Sequence, residues 1–104
     1  MLKQITHTCF ISLLVAGTVS YAQSGADLYK SKCQMCHGAD GTGNTPAGKS
    51  TKVRSFSSDD VKKMSDDDLI AVTTNGKNKM PAYKGKLTDD QIKSLIAYIH
   101  TLQK

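Results

Sequence analysis

Residues 32–38 read Lys-Cys-Gln-Met-Cys-His-Gly: two cysteines three apart, with a histidine directly behind the second. Few short stretches constrain a chain of 104 residues as much, because each chemistry open to this one demands something different of the remainder. A zinc site needs a fourth ligand near a tetrahedron. A redox dithiol needs the motif at the start of a helix in a strand-containing fold. A covalently attached haem leaves the far side of its iron to a second axial ligand.

The N-terminus bears on the compartment. Lys3 gives a basic start, the run from Cys9 to Val19 is apolar, and Ser20 and Ala22 are small residues at the two positions a signal peptidase reads. This is the layout of a secretory signal peptide over residues 1–22, cleaved near Ala22, and the run is too short to span a bilayer comfortably. An uncleaved anchor is the alternative. Cys9 stands at the start of the apolar run, not behind it, and departs with it, so a domain over residues 23–104 keeps only Cys33 and Cys36. Outside the cytoplasm the two could pair. A bridge closing so small a loop restrains little of the unfolded chain.

Residues 23–104 have only Tyr29, Phe56, Tyr83 and Tyr98 as aromatics and no tryptophan. Chains of this size need a staple, such as disulfides, a metal or a cofactor, to make up for a thin core. Loss of Lys3 takes the formal charge from +5 to +4, compatible with an acidic partner surface or with ordinary solvation. The basic residues are interspersed with aspartates, and an exported chain meets no nucleic acid.

The pattern along the chain is helical, with no strand alternation. Ser24 is placed to cap a first helix, with Asp27 in the capping-box position, running from about Gly25 into the cysteine motif. Residues 37–55 are rich in Gly, Thr, Ser and Asn and read as an irregular loop. A short helix is expected at Asp59–Met64, after Ser57 or Ser58. Another is expected at Asp66–Val72, capped by Ser65 and closed by Asn75-Gly76. The three aspartates of its first turn suit the positive end of the helix dipole better than a metal. The last helix is capped by Thr88, with Gln91 reciprocal, and carries Ile92, Leu95, Ile96, Ile99 and Leu102 on one stripe. The fold class is all-α, helix packed on helix.

Within that frame zinc is disfavoured: adjacent Cys36 and His37 make a poor pair of ligands, and His100 is the only distant candidate. A dithiol is disfavoured because the motif ends a helix in a chain without strands. The haem reading is complete. Cysteines three apart on a helical turn can each bond one haem vinyl group, and His37 stays on that side to reach the iron. For the sixth ligand, Met35 lies inside the attachment loop and Met64 in a helical stretch. Met80 sits in the loop Gly76–Gly85, backed by Pro81, and is the candidate, ordinary packing being its other reading.

These residues resemble a class I c-type cytochrome of the small bacterial monohaem kind, over nearly all of residues 23–104. The resemblance rests on Cys-Gln-Met-Cys-His-Gly after an N-terminal helix, Asn-Lys-Met-Pro-Ala-Tyr in the later loop and Leu-Ile-Ala-Tyr-Ile in the last helix. It implies helices wrapped around one covalent haem c with iron. It also implies a first and last helix crossing at Gly25, Tyr29, Leu95 and Tyr98, and a Pro46 carbonyl orienting His37. The short middle loop and the missing tryptophan depart from photosynthetic c6 proteins.

With His37 and Met80 both on the iron no position is open to a substrate, so the expected work is one-electron transfer rather than catalysis. Lys30, Lys32, Lys49, Lys77, Lys79, Lys84 and Lys86 flank the two segments and are candidates to steer docking onto acidic redox partners, a generally solvated basic surface being the alternative. The expected protein is a soluble periplasmic monomer, not held in the membrane after signal cleavage. Two other readings stand beside it: an electron-transfer subunit of a larger oxidase or dehydrogenase, and a gas-binding or peroxidase-like haem protein should Met80 be labile. His100 is expected at the helix end, where the dipole favours positive charge.

Overall fold

Six helices and the loops between them make up the computed structural model, which describes residues 21–104, with side chains from residue 25: α1 Tyr21–Lys32, α2 Gln34–His37, α3 Pro46–Thr51, α4 Asp59–Lys62, α5 Asp66–Asn75 and α6 Asp89–Leu102. No strand occurs among the described residues; Lys77–Met80 and Lys84–Leu87 form only isolated bridges. The proposed signal peptide lies almost wholly outside them.

The longest helix among the described residues, α6, is built as its sequence directs. Thr88 Oγ1 accepts from Gln91 N at 3.1 Å, and Gln91 Oε1 accepts from Thr88 N at 2.9 Å, closing the reciprocal cap. The helical period then puts Ile92, Leu95, Ile96 and Ile99 on one buried stripe, with Leu102 half-buried. Burying each such side chain contributes roughly 1.5–3 kcal/mol.

That stripe meets α1. At the crossing a Cβ on Gly25 would run into the Ser94 carbonyl oxygen and lie 3.3 Å from Tyr98 Cβ, so the helices approach this closely only because the residue is glycine. One turn on, the Tyr29 ring tilts against Tyr98 at a centroid distance of 5.1 Å and meets Phe56 edge-on at 6.3 Å. Tyr29, Phe56, Leu69, Leu95, Ile96 and Ile99 form one cluster with Val61. The expected meeting of Gly25 and Tyr29 with Leu95 and Tyr98 is what holds α1 and α6 together.

Two local expectations are corrected. Ser24 does not begin α1, which already runs through Tyr21; Ala22 and Gln23 are good helix formers, so nothing interrupts the helix ahead of the serine. The segment 37–55 is not irregular throughout, because it contains α3. Thr45 accepts from Gly48 N at 2.8 Å and Pro46 occupies the first turn, where its missing N–H costs nothing.

The other helices follow expectation more closely. Ser65 and Asp68 form a capping box that starts α5, and Gly76 ends it at φ 74°. Ser58 stands at the N-cap of α4, but its hydroxyl is buried without a partner among the described residues and the helix lasts a single turn.

Candidate haem site

The motif lies where α1 runs into α2. Cys33 N donates to Tyr29 O at 2.9 Å and His37 N to Cys33 O at 3.0 Å, so the helical path continues through it. Cys33, Cys36 and His37 consequently fall within one turn, and all three line a cavity of about 420 Å³. Its walls include Leu69, Val72, Leu95 and Ile96 from α5 and α6. That size and apolar character suit a large, mostly apolar organic group.

Two hydroxyls brace the turn from outside the motif. Tyr29 donates to Gly38 O at 2.6 Å, and Thr45 donates to Cys36 O at 2.8 Å while capping α3. Burial raises the Tyr29 pKa far above its ordinary value, so this donor keeps its proton. Neither bracing role is visible in the motif itself.

His37 stacks on Phe56 with ring centroids 4.6 Å apart and planes 20° from parallel. Burial lowers its pKa, favouring the neutral imidazole whose free lone pair a metal requires. Its Nδ1 is buried and has no hydrogen-bond partner among the described residues. The bond to the Pro46 carbonyl that the resemblance implied is therefore not formed here; Pro46 instead opens α3.

Cys33 and Cys36 are free, half-buried thiols. Burial, with Cys36 beside it, pushes the Cys33 thiol up to about 11. A zinc ligand or redox nucleophile needs the opposite shift, towards the thiolate.

Met80 comes from the far end of the sequence to the same cavity. The loop after α5 doubles back: Met80 N donates to Lys77 O at 2.9 Å and Lys77 N to Met80 O at 3.2 Å, with Asn78 at φ 53° between them. Gly76 is required at its base, since a Cβ there would sit 2.7 Å from Met80 O and its φ is positive. Met64 also lines the cavity but packs against the apolar cluster, and Met35 is 81 % exposed. The residues present fit a haem: apolar walls, two free thiols, an imidazole favoured as neutral and a thioether share one space.

All seven candidate docking lysines are exposed, and none has a salt bridge among the described residues. Only Lys32, Lys77 and Lys79 of the seven also line the cavity. Lys52 and Arg54, which the sequence reading passed over, do so as well. So does Tyr83, whose hydroxyl donates to Lys32 O at 3.0 Å. No helix among the described residues is long and apolar enough to cross a membrane.

Comparison with known proteins agrees with this geometry. Residues 20–99 match the family model described as cytochrome c oxidase, cbb3-type, subunit III. The chain is 36 % identical over 78 residues to cytochrome c6 of Leptolyngbya boryana, covering 75 % of this chain and 88 % of that one. It is 33 % identical over 85 residues to the cbb3-type cytochrome c oxidase subunit FixP of a Bradyrhizobium strain, covering 78 % of this chain but 27 % of that protein. Among solved structures it is similar to the c-type cytochrome KustC0563, with a TM-score of 0.71 and 32 % identity over 77 % of this chain and 98 % of that one.

The likeness to cytochromes c6, joined to a cavity lined by the Cys-x-x-Cys-His turn, marks an electron-transfer haem protein rather than an enzyme. The chain belongs to the class I c-type cytochrome family, whose prosthetic group is a covalently attached haem c with iron.

Proposed function

We propose that the chain is an exported one-electron carrier, freed from its signal peptide near Ala22 and working in the periplasm as a soluble monomer. Cys33 and Cys36 would hold the haem through thioethers, and His37 and Met80 would be its axial ligands. The observation that carries this reading is the convergence of Cys33, Cys36, His37 and Met80 on one apolar cavity from segments more than forty positions apart. When bound, the haem supplies a one-electron couple, and a methionine ligand favours its ferrous state. The protein's part is to exclude water with α5 and α6, keep His37 neutral and hold the Met80 loop closed.

Lys32, Lys77 and Lys79 would lie at the cavity mouth, with Lys30, Lys49, Lys84 and Lys86 farther out, as a basic face for acidic redox partners. The test pairs two readouts on the reduced holoprotein. It should not bind carbon monoxide at neutral pH, and its electron exchange with an acidic partner should slow as salt rises. Ready carbon monoxide binding would indicate an open or labile sixth position and a gas-binding or peroxidase-like protein. A flat salt response would remove the docking face.

The family description and the likeness to FixP favour one other reading, a haem unit passing electrons within a larger oxidase. Recovery of the native protein only as part of a membrane complex would support it over the free carrier.

A further inference from the structure

The segment that carries Met80 is anchored unevenly. On the α5 side it is held by backbone: Tyr83 N donates to Thr73 O at 3.1 Å and Lys84 N to Thr74 O at 3.0 Å. Tyr83 O accepts in turn from Lys86 N at 2.9 Å and Leu87 N at 3.0 Å. On the side of the cysteine–histidine turn a single hydrogen bond joins it among the described residues, from the Tyr83 hydroxyl to Lys32 O at 3.0 Å. Lys32 is the last residue of α1 and immediately precedes Cys33. Tyr83 and Lys32 both line the cavity.

We propose that the Tyr83 hydroxyl is a positioning group for Met80, strapping the methionine segment to the end of α1 so that the segment stays closed over the cavity. The inference rests on the reading of Met80 as the iron ligand. Its physical basis is leverage. Met80 is three residues from Tyr83, and the bonds at Thr73 and Thr74 fix the segment only to α5. Without the hydroxyl, the methionine segment and the histidine turn are joined through packing alone, and an opening motion about α5 loses its opposing bond.

The test uses the oxidised holoprotein and imidazole as a probe that displaces a methionine from iron, followed through the long-wavelength iron–sulfur absorption band. Tyr83→Phe keeps the ring and its packing. It should bind imidazole roughly fivefold more tightly than the parent, as expected when one hydrogen bond is lost from the closed form alone. A denaturation midpoint that falls while imidazole affinity stays at the parent value would show a merely structural bond and overturn the inference. Met80→Ala separates the two levels. If the band survives in it, the ligand reading fails and the strap with it. If the band is lost there but Tyr83→Phe binds imidazole like the parent, the strap alone fails.

Discussion

Thr45 does two things with one hydroxyl. It accepts from Gly48 N to start α3 and donates to Cys36 O, each at 2.8 Å, so the helix after the motif is pinned to the motif's own backbone. Valine has nearly the same shape and neither capacity. Thr45→Val should lower the stability of the holoprotein by about 1–3 kcal/mol in denaturant titration, with Thr45→Ser recovering most of it. A Thr45→Val protein as stable as the parent would mean that water replaces both bonds. The metal-type residues Cys33, Cys36 and His37 were legible because their spacing is itself the chemistry. Thr45, Tyr29 and Phe56 were not legible as site residues, since hydroxyls and rings carry no fixed spacing to what they touch. Thr-Pro ahead of a helical turn was the signal for α3 that the high glycine content of the segment hid. For Pro46 an expected contact is absent: His37 Nδ1 has no partner among the described residues, and the proline stands in the first turn of that helix.

Among the elements, α5 and α6 were the most readable, because their caps and apolar periods agree. What their sequences do not show is the tie between them. His100, near the end of α6, contacts Asp66 Oδ1 through Nε2 at 2.6 Å and Gln103 Oε1 through Nδ1 at 2.9 Å. The hydrogen bond to Gln103, then that to Asp66, raises its pKa above 6.5. The expectation of a helix-end histidine at the dipole's negative pole holds, with the first turn of α5 adding a carboxylate. A raised folded-state pKa makes the protonated form the stabilising one. The contribution is fully present below pH 6.5 and is lost as the pH climbs through the raised value. Both side chains are largely exposed, so the effect is small and salt-sensitive. In the holoprotein, Asp66→Asn should lower the His100 pKa seen by NMR and destabilise more at pH 5.5 than at pH 8.5. Equal losses at both pH values would show that the pair carries no pH-dependent stability.

For the molecule as a whole, the thin core and the cavity are two views of one arrangement. A chain with four aromatics after residue 22 and no tryptophan closes α1 onto α6 through Gly25, Tyr29, Leu95 and Tyr98, and leaves apolar walls from α5 and α6 facing the cysteine–histidine turn. The all-helical class and the need for a staple could be read from composition and period. The closing of the Met80 segment could not, since it depends on Asn78 and Gly76 backbone geometry and on a tyrosine bond spanning 51 positions. The central claim is that Met80 completes what His37 begins. Its most direct test is the absorption spectrum of oxidised holoprotein carrying Met80→Ala, with Met64→Ala as the control because Met64 shares the cavity. Loss of the long-wavelength iron–sulfur band in Met80→Ala, and its retention in Met64→Ala, is the result expected. A band that survives Met80→Ala and disappears with Met64→Ala would contradict the account.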